Sequence, residues 1–240
     1  MNKEKRKSKI FLTGDKHGEI DIKSINTKNW PEQKELTKND YLIVLGDFGV
    51  LWNNVEDGRE RYLKKWYNDK KCTTLFIDGN HENAIRLQAL EQVEMFGGTV
   101  GKVSDSIYHL RRGEVYTIAG KKFFTFGGAL SVDKENRVEH ISWWKDEIPN
   151  YSECEYGLTN LEKHGNKVDY ILAHTCPYEL MHTITYGDMW LGTKFKDPTT
   201  RYLDKIINLV EYESFHFGHF HQDREMGKFH VYYHDVRRLV

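Results

Sequence analysis

Only three cysteines occur in this chain of 240 residues, Cys72, Cys154 and Cys176. They cannot all pair with one another. None stands in CxxC spacing, so neither a zinc ribbon nor a dithiol redox pair is indicated. They read as free thiols of a reducing compartment, which gives the expectation of a cytoplasmic protein. Long apolar runs are missing too, and none approaches the roughly 18 residues that a membrane helix needs. The start is basic, with Lys3, Lys5, Arg6, Lys7 and Lys9. No apolar stretch of signal-peptide length follows it, so residues 1–8 read as a solvated, flexible tail. Charge of one sign is lacking as well. The 35 Lys and Arg face 36 Asp and Glu, for a net charge of −1. That balance gives no global attraction for a nucleic-acid backbone or an anionic membrane, so any pull on an anion has to be local. The sequence shows neither an internal repeat nor a low-complexity segment.

Apolar material is sufficient for a sizeable core, at 39% of residues, with 14 Tyr, 12 Phe and 6 Trp. Length and composition suit one domain over residues 9–240, with an excursion at about 129–150. Lys9–Thr13, Tyr41–Leu45, Thr73–Ile77, Tyr170–Ala173 and Phe215–Phe217 read as strands, and Phe229–Tyr233 as a closing one. Tyr41–Leu45 (YLIVL) is apolar throughout, as a strand buried on both faces should be. Glu56–Asp69 reads as a helix with Tyr62, Leu63, Trp66 and Tyr67 on one face. Asn83–Leu90, Leu158–His164 and Thr199–Tyr212 read as further helices, the last with Tyr202, Leu203, Ile206, Ile207 and Val210 inward. This alternation is an α/β signature. Ile107–Leu110, Glu114–Ile118 and Lys122–Phe126 are closely spaced short strands, expected together in a second, antiparallel sheet. Ala119-Gly120-Lys121 is their hairpin turn.

Five polar motifs follow strands: Gly14-Asp15-Lys16-His17-Gly18, Gly46-Asp47-Phe48-Gly49, Gly79-Asn80-His81-Glu82, Ala173-His174-Thr175 and Gly218-His219-Phe220-His221. In an open α/β sheet, ligands bind outside the carboxyl ends of the strands, so residues distant in sequence can converge there. Asp, Asn and His suit a pair of divalent metals. The set points to a two-metal hydrolytic site. With 12 histidines in the chain, those outside the motifs (His109, His140, His164, His182, His230 and His234) read as surface or core residues, and His216 as a neighbour of ligands rather than a ligand.

Together the motifs resemble the pattern of the calcineurin-like metallophosphoesterases: DxH, GDxxG or GDxxD, GNH followed by an acid, a lone His, then GHxH. The resemblance runs from Asp15 to His221. It implies a four-layer α/β/β/α sandwich and hydrolysis of phosphomonoesters or phosphodiesters by a two-metal-activated water. It also implies that Asp15, His17 and His221 bind one metal, that Asn80, His174 and His219 bind the other, and that Asp47 bridges them. His81 becomes the candidate general acid and Glu82 the residue that positions it. The donor set suits Mn²⁺ first, with Fe, Zn²⁺, Co²⁺ or Ni²⁺ as alternatives.

The protein Ser/Thr phosphatases of that family carry one Arg after the GDxxD acid and another before GNH. Here Val50-Leu51 and Ile77-Asp78 stand in those places. Two charge-assisted forks to a phosphate are therefore lacking, and a nucleotide or other small phosphoester is favoured over a phosphoprotein as substrate. Nucleic acid is disfavoured by the neutral net charge. Arg137, Trp143 and Trp144 of the excursion, and Lys16 inside the first motif, are the candidate substrate contacts. A catalytically inactive binding module of the same fold is the remote alternative, since no ligand position is degenerate.

Overall fold

A computed structural model describes residues 6–185 and 196–240. Two sheets carry the architecture. The first has seven strands in the order β13-β1-β2-β3-β6-β5-β4. These are β1 Ile10–Thr13, β2 Tyr41–Leu45, β3 Thr73–Ile77, β4 Glu91–Met95, β5 Gly98–Ser104, β6 Ile107–Leu110 and β13 Arg237–Arg238. The second has six strands in the order β11-β12-β10-β9-β8-β7. Its members are β7 Glu114–Ile118, β8 Lys121–Phe126, β9 Tyr170–Ala173, β10 Ser214–Phe217, β11 Arg224–Met226 and β12 Phe229–Val231.

Alternation along the strands builds the layers. Phe11, Leu42, Val44 and Phe76 face outward from the first sheet and pack with Leu63 and Tyr67 of helix α1 (Gly58–Asn68). Their neighbours Ile10, Leu12, Ile43, Leu45, Leu75 and Ile77 face the other way, onto Phe123 and Leu172 of the second sheet. Ile171, Ala173, Phe215 and Phe217 then point outward again, onto Leu161 of helix Tyr151–Lys163 and Leu203 and Ile206 of helix Pro198–Leu209. Here α2 is Ala84–Gln88, α3 Tyr151–Lys163, α4 Met181–Ile184 and α5 Pro198–Leu209. Period-two strands buried on both faces, covered by helices, give the α/β/β/α sandwich that the sequence implies. No described helix is long and apolar enough to cross a membrane.

Several boundaries move for local reasons. Asn150 caps α3 and Glu153 reaches back to it in a capping box, so this helix starts well before Leu158. In α1, Leu63 and Tyr67 are buried but Tyr62 is 59% exposed, because it falls off the inward stripe. The three middle strands do not share one sheet. β6 joins the first, parallel to β3, whereas β7 and β8 form a hairpin in the second. Ala119 and Gly120 turn that hairpin with φ of 52° and 82°, the left-handed pair that matches strand twist. β4, β5, β11 and β13 carry no sequence signal of comparable strength.

Phe123 fills the layer between the sheets and is fully buried. Phe123→Ala should cost about 3–5 kcal/mol, read by urea denaturation at constant slope. A loss below about 1 kcal/mol would contradict this packing of the two sheets.

Candidate metal centre

Each motif begins where a buried strand stops. β1 leads to Asp15 and His17, β2 to Asp47, β3 to Asn80 and His81, β9 to His174, and β10 to His219 and His221. β1, β2 and β3 run parallel to one another, as do β9 and β10, so each sheet delivers its motifs to one edge. The chain must turn hard there. His17, Asp47, His219 and His221 adopt φ of 43°, 47°, 67° and 50°, a region that non-glycine residues avoid. Close approach explains two of the glycines. A Cβ on Gly79 would overlap Asp47 Oδ1, and one on Gly46, itself at φ 88°, would overlap the His174 ring.

Asp47 stands at the centre. Its Oδ2 lies 3.4 Å from His17 Nε2 and 3.4 Å from His174 Nε2, while Oδ1 accepts the His81 N–H at 2.8 Å. Asp15 Oδ1 accepts the His219 N–H at 3.1 Å and lies 3.6 Å from His174 Nδ1. Asp15 Oδ2 lies 3.4 Å from His221 Nε2 and is buried without a hydrogen bond. Ligand-type atoms of His17, Asp47 and His81 fall within 4.8 Å of one another, and so do those of Asp47, His174 and His219. Among the described residues Asp47 is common to both groups.

These atoms need a cation. The Leu45 carbonyl, 2.8 Å from His174 Nδ1, can only accept, so Nδ1 carries the hydrogen. Nε2 is left facing Asn80 Oδ1 at 3.1 Å and Asp47 Oδ2. In neutral His174 three acceptors would then converge with nothing between them. Among the protein groups alone, a proton must fill that place. Burial opposes charge on His174, but Asp47 outweighs it and raises the pKa to about 10. His17 behaves alike: burial opposes charge, and Asp47 and Asp21 lift it to about 9. Burial works against ionising Asp47, yet the charge of His174 and hydrogen bonds from His17 and His174 hold it well below the usual carboxylate range. Burial lifts Asp15 to about 7, with His174 opposing and Asp47 adding to the shift. Neither buried carboxylate pairs with an Arg or Lys among the described residues. The orphaned Asp15 Oδ2, the acceptor cluster at His174 and the shared Asp47 fit two divalent metals.

His81 sits beside this cluster. Its ring lies near Trp52, at 5.5 Å between centroids and 22° between planes. The Arg137 guanidinium places its two terminal nitrogens 3.1 and 3.2 Å from the two ring nitrogens, and Asp133 holds Nε at 2.7 Å. A neutral imidazole has one acceptor nitrogen, so at most one of these contacts is a hydrogen bond from Arg137. Burial, with Arg137 adding to it against Asp47, lowers the His81 pKa.

Three sequence expectations need correction. Lys16 does not face a substrate: it is fully buried, and its Nζ donates to the Tyr233 carbonyl at 2.7 Å and to Ser24 Oγ at 2.9 Å. Burial and those two acceptors engage its ammonium group. Trp144 is 1% exposed and packs edge-on against Trp52, so it is an anchor rather than an open platform, while Trp143 is half-buried. Glu82 does not hold His81. Its oxygens accept the Gly49 N–H at 2.8 Å and the Gly79 N–H at 2.5 Å, tying the second motif to the third.

Two residues escape the sequence entirely. Asp21 Oδ2 lies 2.8 Å from His17 Nδ1, and Tyr233 donates its hydroxyl to Asp21 Oδ1 at 3.0 Å. Tyr233 also stacks on His221, at 4.5 Å and 4°. One tyrosine thus steadies two candidate ligands. Neither residue lies in a motif, so only the fold reveals them.

The family model for calcineurin-like phosphoesterases matches residues 8–232. The chain is 28% identical to lariat debranching enzyme A of Xenopus laevis over 204 residues, 79% of this chain and 36% of that protein. It is 28% identical to the human lariat debranching enzyme, over 75% of this chain and 34% of the relative. The Drosophila pseudoobscura lariat debranching enzyme is also 28% identical, over 70% and 33%. The chain thus spans about a third of the length of the curated relatives it matches. On the match over nearly its whole length and the motifs gathered at one edge, this chain belongs to the calcineurin-like phosphoesterase family.

Proposed function

We propose that this protein is a two-metal phosphodiesterase. The observation that carries the reading is the Asp47 carboxylate, common to two groups of ligand-type atoms and in contact with His17 and His174 at 3.4 Å each. Asp15, His17 and His221 would hold one metal and Asn80, His174 and His219 the other, with Asp47 shared. Bound there, two divalent metals would supply Lewis acidity and an acidified water for in-line displacement. Mn²⁺ is the first metal to test.

The chain's own residues supply the rest. His81 would give a proton to the departing oxygen, and its contact with Arg137 sets the ring and places a fixed positive charge beside it. Preference for a diester rests on two grounds. The fork-forming arginines of the protein phosphatases are absent at Val50-Leu51 and Ile77-Asp78, and the relatives are lariat debranching enzymes. That similarity also brings nucleic acid back as a substrate class, against the neutral net charge. The half-buried Trp143 and the Arg137 of the excursion remain the proposed substrate contacts.

A second reading of His81 has an observation behind it, its place in a ligand-type group with His17 and Asp47. His81→Ala separates the two. As general acid, its loss should lower turnover by about 10²–10⁴-fold while metal analysis still finds two ions per chain. Loss of an ion would make His81 a ligand. Asp47→Asn should reduce turnover to background and weaken both metals. Wild-type rate at saturating metal would remove the shared role. Metal-stripped protein reloaded with Mn²⁺ should cleave bis-p-nitrophenyl phosphate faster than p-nitrophenyl phosphate. The reverse order, still dependent on Asp47, would make it a phosphatase.

A further inference from the structure

The two ends of an amide are nearly isosteric, yet only Oδ1 of Asn80 can ligate a cation. We infer that Ser131, Glu147 and Arg112 form a positioning relay that fixes which end of the Asn80 amide faces the metal centre. This inference rests on the two-metal reading above and assigns residues outside the five motifs.

The direction of the hydrogen bonds carries it. Glu147 is 1% exposed, and both its oxygens serve Ser131. Oε1 accepts the Ser131 N–H at 2.8 Å and Oε2 accepts the Ser131 hydroxyl at 2.7 Å. A serine has one hydroxyl hydrogen. With that hydrogen committed to Glu147, Ser131 Oγ can only accept from Asn80. The Asn80 Nδ2 therefore points at Ser131, 3.1 Å away, and Oδ1 points to His174 Nε2, also 3.1 Å away. Turning the amide over would set two oxygens against each other at Ser131 and aim an NH₂ group at the cation site.

Arg112 holds both ends of this chain. Its Nε donates to Asp78 Oδ2 at 2.7 Å, two residues before Asn80. One terminal nitrogen donates to the Asp146 and Glu147 carbonyls at 3.0 Å each, and the other reaches Glu153 at 3.3 Å. The Asp78 side chain, two residues before Asn80, and the backbone carbonyl of Glu147, whose carboxylate holds Ser131, thus share one guanidinium. Glu147 makes no ion pair among the described residues, so its burial offers little to stability by itself. Ser131 and Glu147 also bracket the excursion, which acts on the candidate metal centre through Asn80 without either of them touching a metal.

Titration calorimetry with Mn²⁺ on the metal-stripped full chain tests this, with elemental analysis for stoichiometry and circular dichroism for fold. Wild type should take two Mn²⁺. Ser131→Ala should weaken one of the two sites about 10–100-fold and leave the other unchanged. Ser131→Thr, which keeps the hydroxyl, should restore it. Glu147→Gln should weaken the same site, because its NH₂ can donate to Ser131 and free the hydroxyl hydrogen to turn toward Asn80. This second variant carries the test if Ser131→Ala fails to fold. Two wild-type affinities in both Ser131→Ala and Glu147→Gln would overturn the relay, as would equal weakening of both sites, the mark of a merely structural role. Fewer than two Mn²⁺ in the wild type would overturn the two-metal reading, and the relay with it.

Discussion

A buried carboxylate that forms no ion pair with Lys or Arg among the described residues is the constraint from which the rest of this structure follows. Asp47 is 2% exposed and Asp15 fully buried, and each reaches histidine nitrogens at 3.4 to 3.6 Å. Such a pair is stable only if positive charge is brought to it. His17 and His174 can bring protons, and the same geometry suits metals better. Among the described residues, the buried Asp15 Oδ2 has no hydrogen bond.

Gathering those acceptors has a conformational cost. His17, Asp47, His219 and His221 all sit in the left-handed region, at about 1–2 kcal/mol each. What offsets it is the doubly buried sheet pair: strands covered on both faces fix the points from which the motifs depart. Glu82 then ties two of the loops by their N–H groups, and Tyr233 couples His221 to the Asp21 that steadies His17. Strain at the edge is thus supported by rigidity behind it.

How much of this was legible in the sequence follows from how local each signal is. Motif residues were readable because glycine, aspartate and histidine recur at strand ends, and strands such as Tyr41–Leu45 announce themselves by continuous apolar character. Lys16 and Trp144 were misjudged because burial belongs to the fold: the sequence cannot show that Lys16 finds the Tyr233 carbonyl, 217 positions away. Asp21, Ser131 and Glu147 lie outside any pattern: the first two gain meaning from the candidate ligands they touch, and Glu147 from Ser131. Spacing between short strands does not say which neighbour each will take, so the sequence does not show that β6 joins β3. Arg137 was singled out for its charge, and the structure sets it against His81.

If Asp47 joins two metals in one centre, their spins share a ligand and couple. Electron paramagnetic resonance of the Mn²⁺-loaded protein should then give the spectrum of an exchange-coupled Mn²⁺ pair. Two independent mononuclear Mn²⁺ signals at full loading would contradict it.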